Sequence, residues 1–92
     1  MPMVRYYVIF YGQVQGVGFR YTLAKMATNY GITGWVRNRY DGSVEAQLQA
    51  DENSLNRLIL EIQNEGRYIS VEDYSIKQID IVSNEKGFRI KY

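Results

Sequence analysis

Apolar or aromatic side chains fill nearly every position from Arg5 to Tyr11. Tyr6, Val8 and Phe10 fall on one face of an extended chain and Tyr7, Ile9 and Tyr11 on the other, which predicts a central strand. From Phe19 the period changes. Phe19, Leu23, Met26, Ala27 and Tyr30 form a single apolar stripe at helical spacing, and Gly31 supplies the left-handed position that ends such a helix. Ile32–Arg37 and Ser43–Ala50 read as a hairpin: Val44, Ala46 and Leu48 alternate with Glu45, Gln47 and Gln49, and Asp41-Gly42 marks the turn. A second helix begins at Asp51–Asn53, carries the stripe Leu55, Leu58, Ile59 and Ile62, and is closed by Gly66. Val71–Ile81 is a fourth strand, where a slip of apolar phase between Ile76 and Ile79 predicts a bulge. Phe88–Tyr92 makes a short fifth.

The order βαββαβ plus a terminal strand predicts an α+β fold of the ferredoxin-like kind, an α/β sandwich with an antiparallel sheet and two helices on one face. In that arrangement the first and second strands run parallel, so their C-terminal ends share one edge of the sheet. The loop Gly12–Gly18 and Asn38 should therefore lie on the same side of the molecule.

Ninety-two residues suit one domain, 1–92, with a single core. Eleven Lys and Arg against ten Asp and Glu leave a net charge near +1. Broad attraction to nucleic acid or to a membrane surface is not expected, and any anion site must be local. Cysteine and histidine are both missing, which removes a thiolate nucleophile, the commonest general base and the commonest metal ligand. No metal or other cofactor is expected. The run Val4–Phe10 is too short to span a bilayer and no leader pattern precedes it, so a cytoplasmic monomer is the expectation.

The unusual residues gather in Tyr11–Arg20, YGQVQGVGFR, where Gly12, Gly16 and Gly18 link a strand to a helix. Such a turn can aim several backbone N–H groups at one point, and the helix adds its own free N–H groups and the positive end of its dipole. Arg20 offers planar paired donors to a tetrahedral oxyanion. A Walker A ending is absent, and Tyr21 replaces the third glycine of a dinucleotide fingerprint. A plainer reading, in which the glycines only shape the turn and Arg20 is a solvated side chain, stands level on composition alone. Val14 and Val17 would pin the loop to the core, while Gln13 and Gln15 read as scaffolding first and ligands second.

GQVQGVGFR, followed by GWVRNRYDGSVE at Gly34–Glu45, resembles the paired signature of the acylphosphatase family. The resemblance covers essentially the whole chain. It departs where Phe10 replaces a smaller aliphatic, where Ala50 replaces a common glycine, and where Gly66-Arg67 replaces Gly-Pro. It implies hydrolysis of a carboxyl-phosphate anhydride, with Arg20 binding phosphate and Asn38 positioning water.

The chemistry of the residues agrees. Backbone N–H groups of Gln13, Val14, Gln15, Gly16, Val17, Gly18 and Phe19, with Arg20, could hold a phosphoryl group and neutralise its oxygens without metal. The carboxamide of Asn38 is barely basic, yet it can hold a water by one donor and one acceptor contact. A leaving carboxylate, whose conjugate acid has a pKa of roughly 4, departs without a general acid. A site lacking histidine therefore suits a small-molecule acyl phosphate, with inorganic phosphate as product, better than a phosphate monoester.

Other groups carry less. Asp41 and Glu45 could pair as carboxylates, but Asp-Gly is ordinary turn chemistry. Arg37 and Arg39 point away from Asn38 on their strand, and Trp35 reads as packing. The rival is a non-catalytic ferredoxin-like module that binds RNA or a phosphate-containing ligand. An RNA-recognition domain needs exposed aromatics on the third strand, and Ser43–Ala50 has none.

Overall fold

The computed structural model describes residues 2–92. Strand β1 (Met3–Gln13) is paired on both sides, antiparallel to β3 (Val44–Asp51) and to β4 (Ser70–Ile79). Beyond β3 lie β2 (Thr33–Asn38) and then β5 (Phe88–Lys91), in the order β4-β1-β3-β2-β5. Helices α1 (Phe19–Asn29) and α2 (Glu52–Ile62) cover one face. Leu23 and Ala27 of α1, with Leu55, Leu58, Ile59 and Ile62 of α2, form one core with Val8, Phe10, Val36, Val44, Ala46 and Leu48 from the sheet. The expected stripes thus meet the expected strand faces.

Two expectations are corrected. The sheet is mixed, because β5 runs parallel to β2 with Ile90 opposite Val36. The chain leaves β4 at one edge and crosses to the other before β5 begins, so β5 enters in the direction of β2. The register shift also lies elsewhere. Ile79 to Ile76 pair with Arg5 to Val8 without interruption, and the irregularity falls between Tyr11 and Gly12, opposite Asp73 and Val71. Because β4 is an edge strand exposed along most of its length, its apolar phase answers to no core. Gly12, at φ +123, fits there because an added Cβ would stand 2.2 Å from the Ser70 carbonyl oxygen.

The face opposite the helices holds a feature that the strand pattern hides. Arg5 is only 1% exposed. Its guanidinium donates to Glu85 at 2.7 and 3.1 Å, to Gln47 at 2.8 Å and to Gln49 at 3.0 Å. Gln49 exchanges two further bonds with the backbone of Val82, at 2.9 and 2.8 Å. A buried guanidinium needs such partners to offset lost hydration. The network pins segment 80–87 across the sheet and delivers β5 to its edge.

Candidate active site

Strands β1 and β2 are both antiparallel to β3, hence parallel to each other. Their C-terminal residues, Gln13 and Asn38, emerge on the same side. Between β1 and α1 the chain turns sharply. Val14 is buried and Val17 packs on the core, while Gly16 (φ +72) and Gly18 (φ +79) take left-handed backbone conformations. An added Cβ at either glycine would meet no atom within 4 Å; the backbone dihedral, not space, calls for glycine. Phe19 opens the helix and fixes it to β1 through a tilted contact with Phe10, ring centres 5.0 Å apart.

The first turn of α1 has no side-chain cap. Among the described residues, no backbone N–H from Gln15 to Phe19 donates to a carbonyl or a side chain. Gly16, Gly18 and Phe19 of this run border a cavity of about 220 Å³ lined by Val14, Gly16, Gly18, Phe19, Arg20, Tyr21, Asn38, Ile90 and Tyr92. Arg20 Nη1 donates to the Lys91 carbonyl at 3.3 Å, and its Cζ stands 4.9 Å from the centre of the Tyr92 ring. Each of the ion pairs among the described residues uses another arginine, so the charge of Arg20 faces the cavity without a carboxylate to cancel it. Asn38 carries a buried Oδ1 with no hydrogen-bond partner among the described residues. An unmade acceptor of this kind costs about 1–3 kcal/mol in a folded chain.

Six of the nine residues expected at the site therefore line one cavity. The other three stand outside its wall. Gln13 ends β1 opposite Ser70. Gln15 turns its Nε2 to the carbonyls of Arg39 (2.7 Å) and Ser43 (2.8 Å), tying the loop to the β2–β3 turn. Val17 packs inward. Sequence reasoning missed Tyr21, Ile90 and Tyr92, which complete the wall. Nothing in a short terminal strand announces that it will lie beside β2.

The remaining candidates are occupied. Asp41 accepts from the Ser43 hydroxyl at 2.5 Å and from its N–H at 2.9 Å, and these bonds hold its carboxyl below the usual range. Burial pushes the Glu45 carboxyl up, but the Tyr7 hydroxyl and the Arg37 guanidinium outweigh it, and the net shift is downward. Two carboxylates kept ionised are poor proton donors to a leaving group. Trp35 stands between Lys91 (4.4 Å) and Arg37 (5.2 Å). Among the described residues no three His, Cys, Asp or Glu come close enough to hold a metal, and no helix is long and apolar enough to cross a membrane.

The family model for Acylphosphatase matches residues 6–90. The chain belongs to the acylphosphatase family. An acylphosphatase of Clostridium acetobutylicum is 43% identical over 90 residues, 98% of this chain and 99% of that one. Another, from Geobacillus kaustophilus, is 41% identical over 90 residues, 98% and 96% of the two chains. The crystal structure of acylphosphatase from Bacillus subtilis superposes with a TM-score of 0.90 at 35% identity, covering 97% of this chain and 99% of that one. The ferredoxin-like α+β fold follows from that superposition. Acylphosphatase activity, the hydrolysis of acyl phosphates, goes with membership at this level of likeness, and the non-catalytic reading gives way to it.

Proposed function

We propose that this chain cleaves the carboxyl-phosphate bond of small acyl phosphates by direct attack of water on phosphorus. The backbone N–H groups of the Gln13–Phe19 loop and the guanidinium of Arg20 hold the phosphoryl oxygens and offset their charge. Asn38 holds the water in line with the bond that breaks. The phosphorus–oxygen bond to the acyl group opens, its electron pair leaves on the carboxylate, and the proton of the water passes to a phosphate oxygen. No side chain needs to give or take a proton. The carboxylate leaves unaided because its conjugate acid has a pKa of roughly 4, and the reaction proceeds without metal. The reading also takes the chain to act as a cytoplasmic monomer, on a small molecule and not on nucleic acid.

One observation carries it: an arginine without an acidic partner, a carboxamide with an unpartnered oxygen and a run of free backbone donors all border the same cavity. The test is a continuous assay of acetyl phosphate with and without a chelator. A chelator-insensitive rate, inhibited competitively by inorganic phosphate, is expected; a rate that needs added metal, or none at all, overturns it.

A further inference from the structure

Val36 and Ile90 point into the core, so Trp35, Arg37, Arg89 and Lys91 lie on the opposite face of the sheet, the one without helices. There the segment 80–87 and the β2–β5 edge enclose an open hollow of about 550 Å³, whose charged members are Arg5, Glu85, Lys86, Arg89 and Lys91. Glu85, the one carboxylate in its wall, is bonded to Arg5 at 2.7 and 3.1 Å and feels Arg89 only through a weaker attraction. None of the ion pairs among the described residues uses Lys86, Arg89 or Lys91. Four cations against one carboxylate leave a surplus of three, in a chain whose net charge is only +1. Like charges gathered in one hollow raise the local potential and draw anions to it.

Arg89 and Lys91 alternate along β5, their Cα atoms about 7 Å apart by the rise of a strand, and Lys86 approaches from the crossover. Linked phosphates can meet cations spread this far, whereas a single phosphate cannot. Arginine offers such a chain paired donors, and lysine offers it point charges. Half-buried Trp35 holds Lys91 in place, with Nζ 4.4 Å from the centre of its ring. We propose that this hollow is a second anion site that takes a polyphosphate chain, carried by a nucleoside triphosphate or by inorganic polyphosphate. It shares no lining residue with the catalytic cavity.

Trp35 is the only tryptophan in the chain, so its fluorescence reports on this hollow directly. In metal-free buffer at low salt, titration of the full chain with tripolyphosphate or with ATP should change Trp35 emission saturably, with calorimetry alongside. Arg89→Gln and Lys86→Gln should each weaken binding about tenfold, as expected for the loss of one charged hydrogen bond, and leave turnover of acetyl phosphate unchanged. Salt at about 1 M, where the Debye length is about 3 Å, should abolish the change. Tighter binding of ATP than of tripolyphosphate identifies the nucleotide as the source of the chain; equal or weaker binding identifies the free polyphosphate. No saturable change with either ligand, or full affinity retained in both variants, overturns the site. So does a change lost in Arg20→Ala but kept in Arg89→Gln, which would put the polyanion in the catalytic cavity.

Discussion

Arg20 is steadied by Tyr92: its guanidinium carbon lies 4.9 Å from the centre of that ring, and its Nη1 meets the carbonyl of the preceding residue, Lys91, at 3.3 Å. A residue near the start of the first helix is thus oriented by the strand that closes the sheet. The contact turns a long, mobile cation toward the cavity before any ligand arrives, which reduces the ordering cost of binding.

Tyr92→Ala should therefore weaken inhibition by inorganic phosphate about two- to fivefold, the equivalent of an exposed cation–π contact of about 0.5–1 kcal/mol. Titration of the steady-state rate with phosphate measures it. An unchanged inhibition constant would show that the ring does not orient Arg20.

Much of this was readable in the chain. Val8, Phe10, Leu23, Leu55 and Leu58 follow the periods of the elements they occupy, and the core they form is the one expected. The loop and Asn38 fall together because strand order alone makes β1 and β2 parallel. What stayed hidden depends on contacts between segments far apart in the chain. The charge at Arg5 looked like the start of a strand, and nothing local points to Glu85, 80 residues on. The slip between Ile76 and Ile79 misled because an exposed edge strand has no buried face to keep in phase. Tyr92 as a wall of the cavity required knowing that β5 pairs with β2.

The two bonds from Gln15 to the carbonyls of Arg39 and Ser43 hold the loop to the β2–β3 turn. Gln15→Ala should cost about 1–2 kcal/mol of stability, the worth of two such bonds, and raise KM more than it lowers kcat. Chemical denaturation and steady-state kinetics on the same preparation check both. A variant as stable as the unaltered chain and unchanged in KM would assign the loop's shape to its glycines alone.

The bonds from Arg5 hold the Glu85 carboxyl below its ordinary range. A carboxylate with a depressed pKa in the folded chain adds stability that is fully present above its unfolded pKa. That stability disappears as pH falls through the lower, folded value. Glu85→Ala should cost about 3 kcal/mol at neutral pH by stranding a buried guanidinium. It should also flatten the decline of stability below the ordinary carboxylate range. Urea unfolding from neutral to acid pH is the measurement; parallel curves for the two chains would remove Glu85 from the acid response.

The most direct measurement sets Arg20→Ala beside Asn38→Ala, with kcat and the inhibition constant of inorganic phosphate determined for each. For Asn38→Ala, kcat should fall about a hundredfold or more while phosphate still inhibits at its former concentration, since the carboxamide acts on water and not on the bound anion. In Arg20→Ala, inhibition and turnover should be lost together, the former by about ten- to a hundredfold, as expected for a charged hydrogen bond worth about 1.5–3 kcal/mol. Equal weakening of phosphate binding in both variants would contradict the separation of anion holder from water holder on which the mechanism stands.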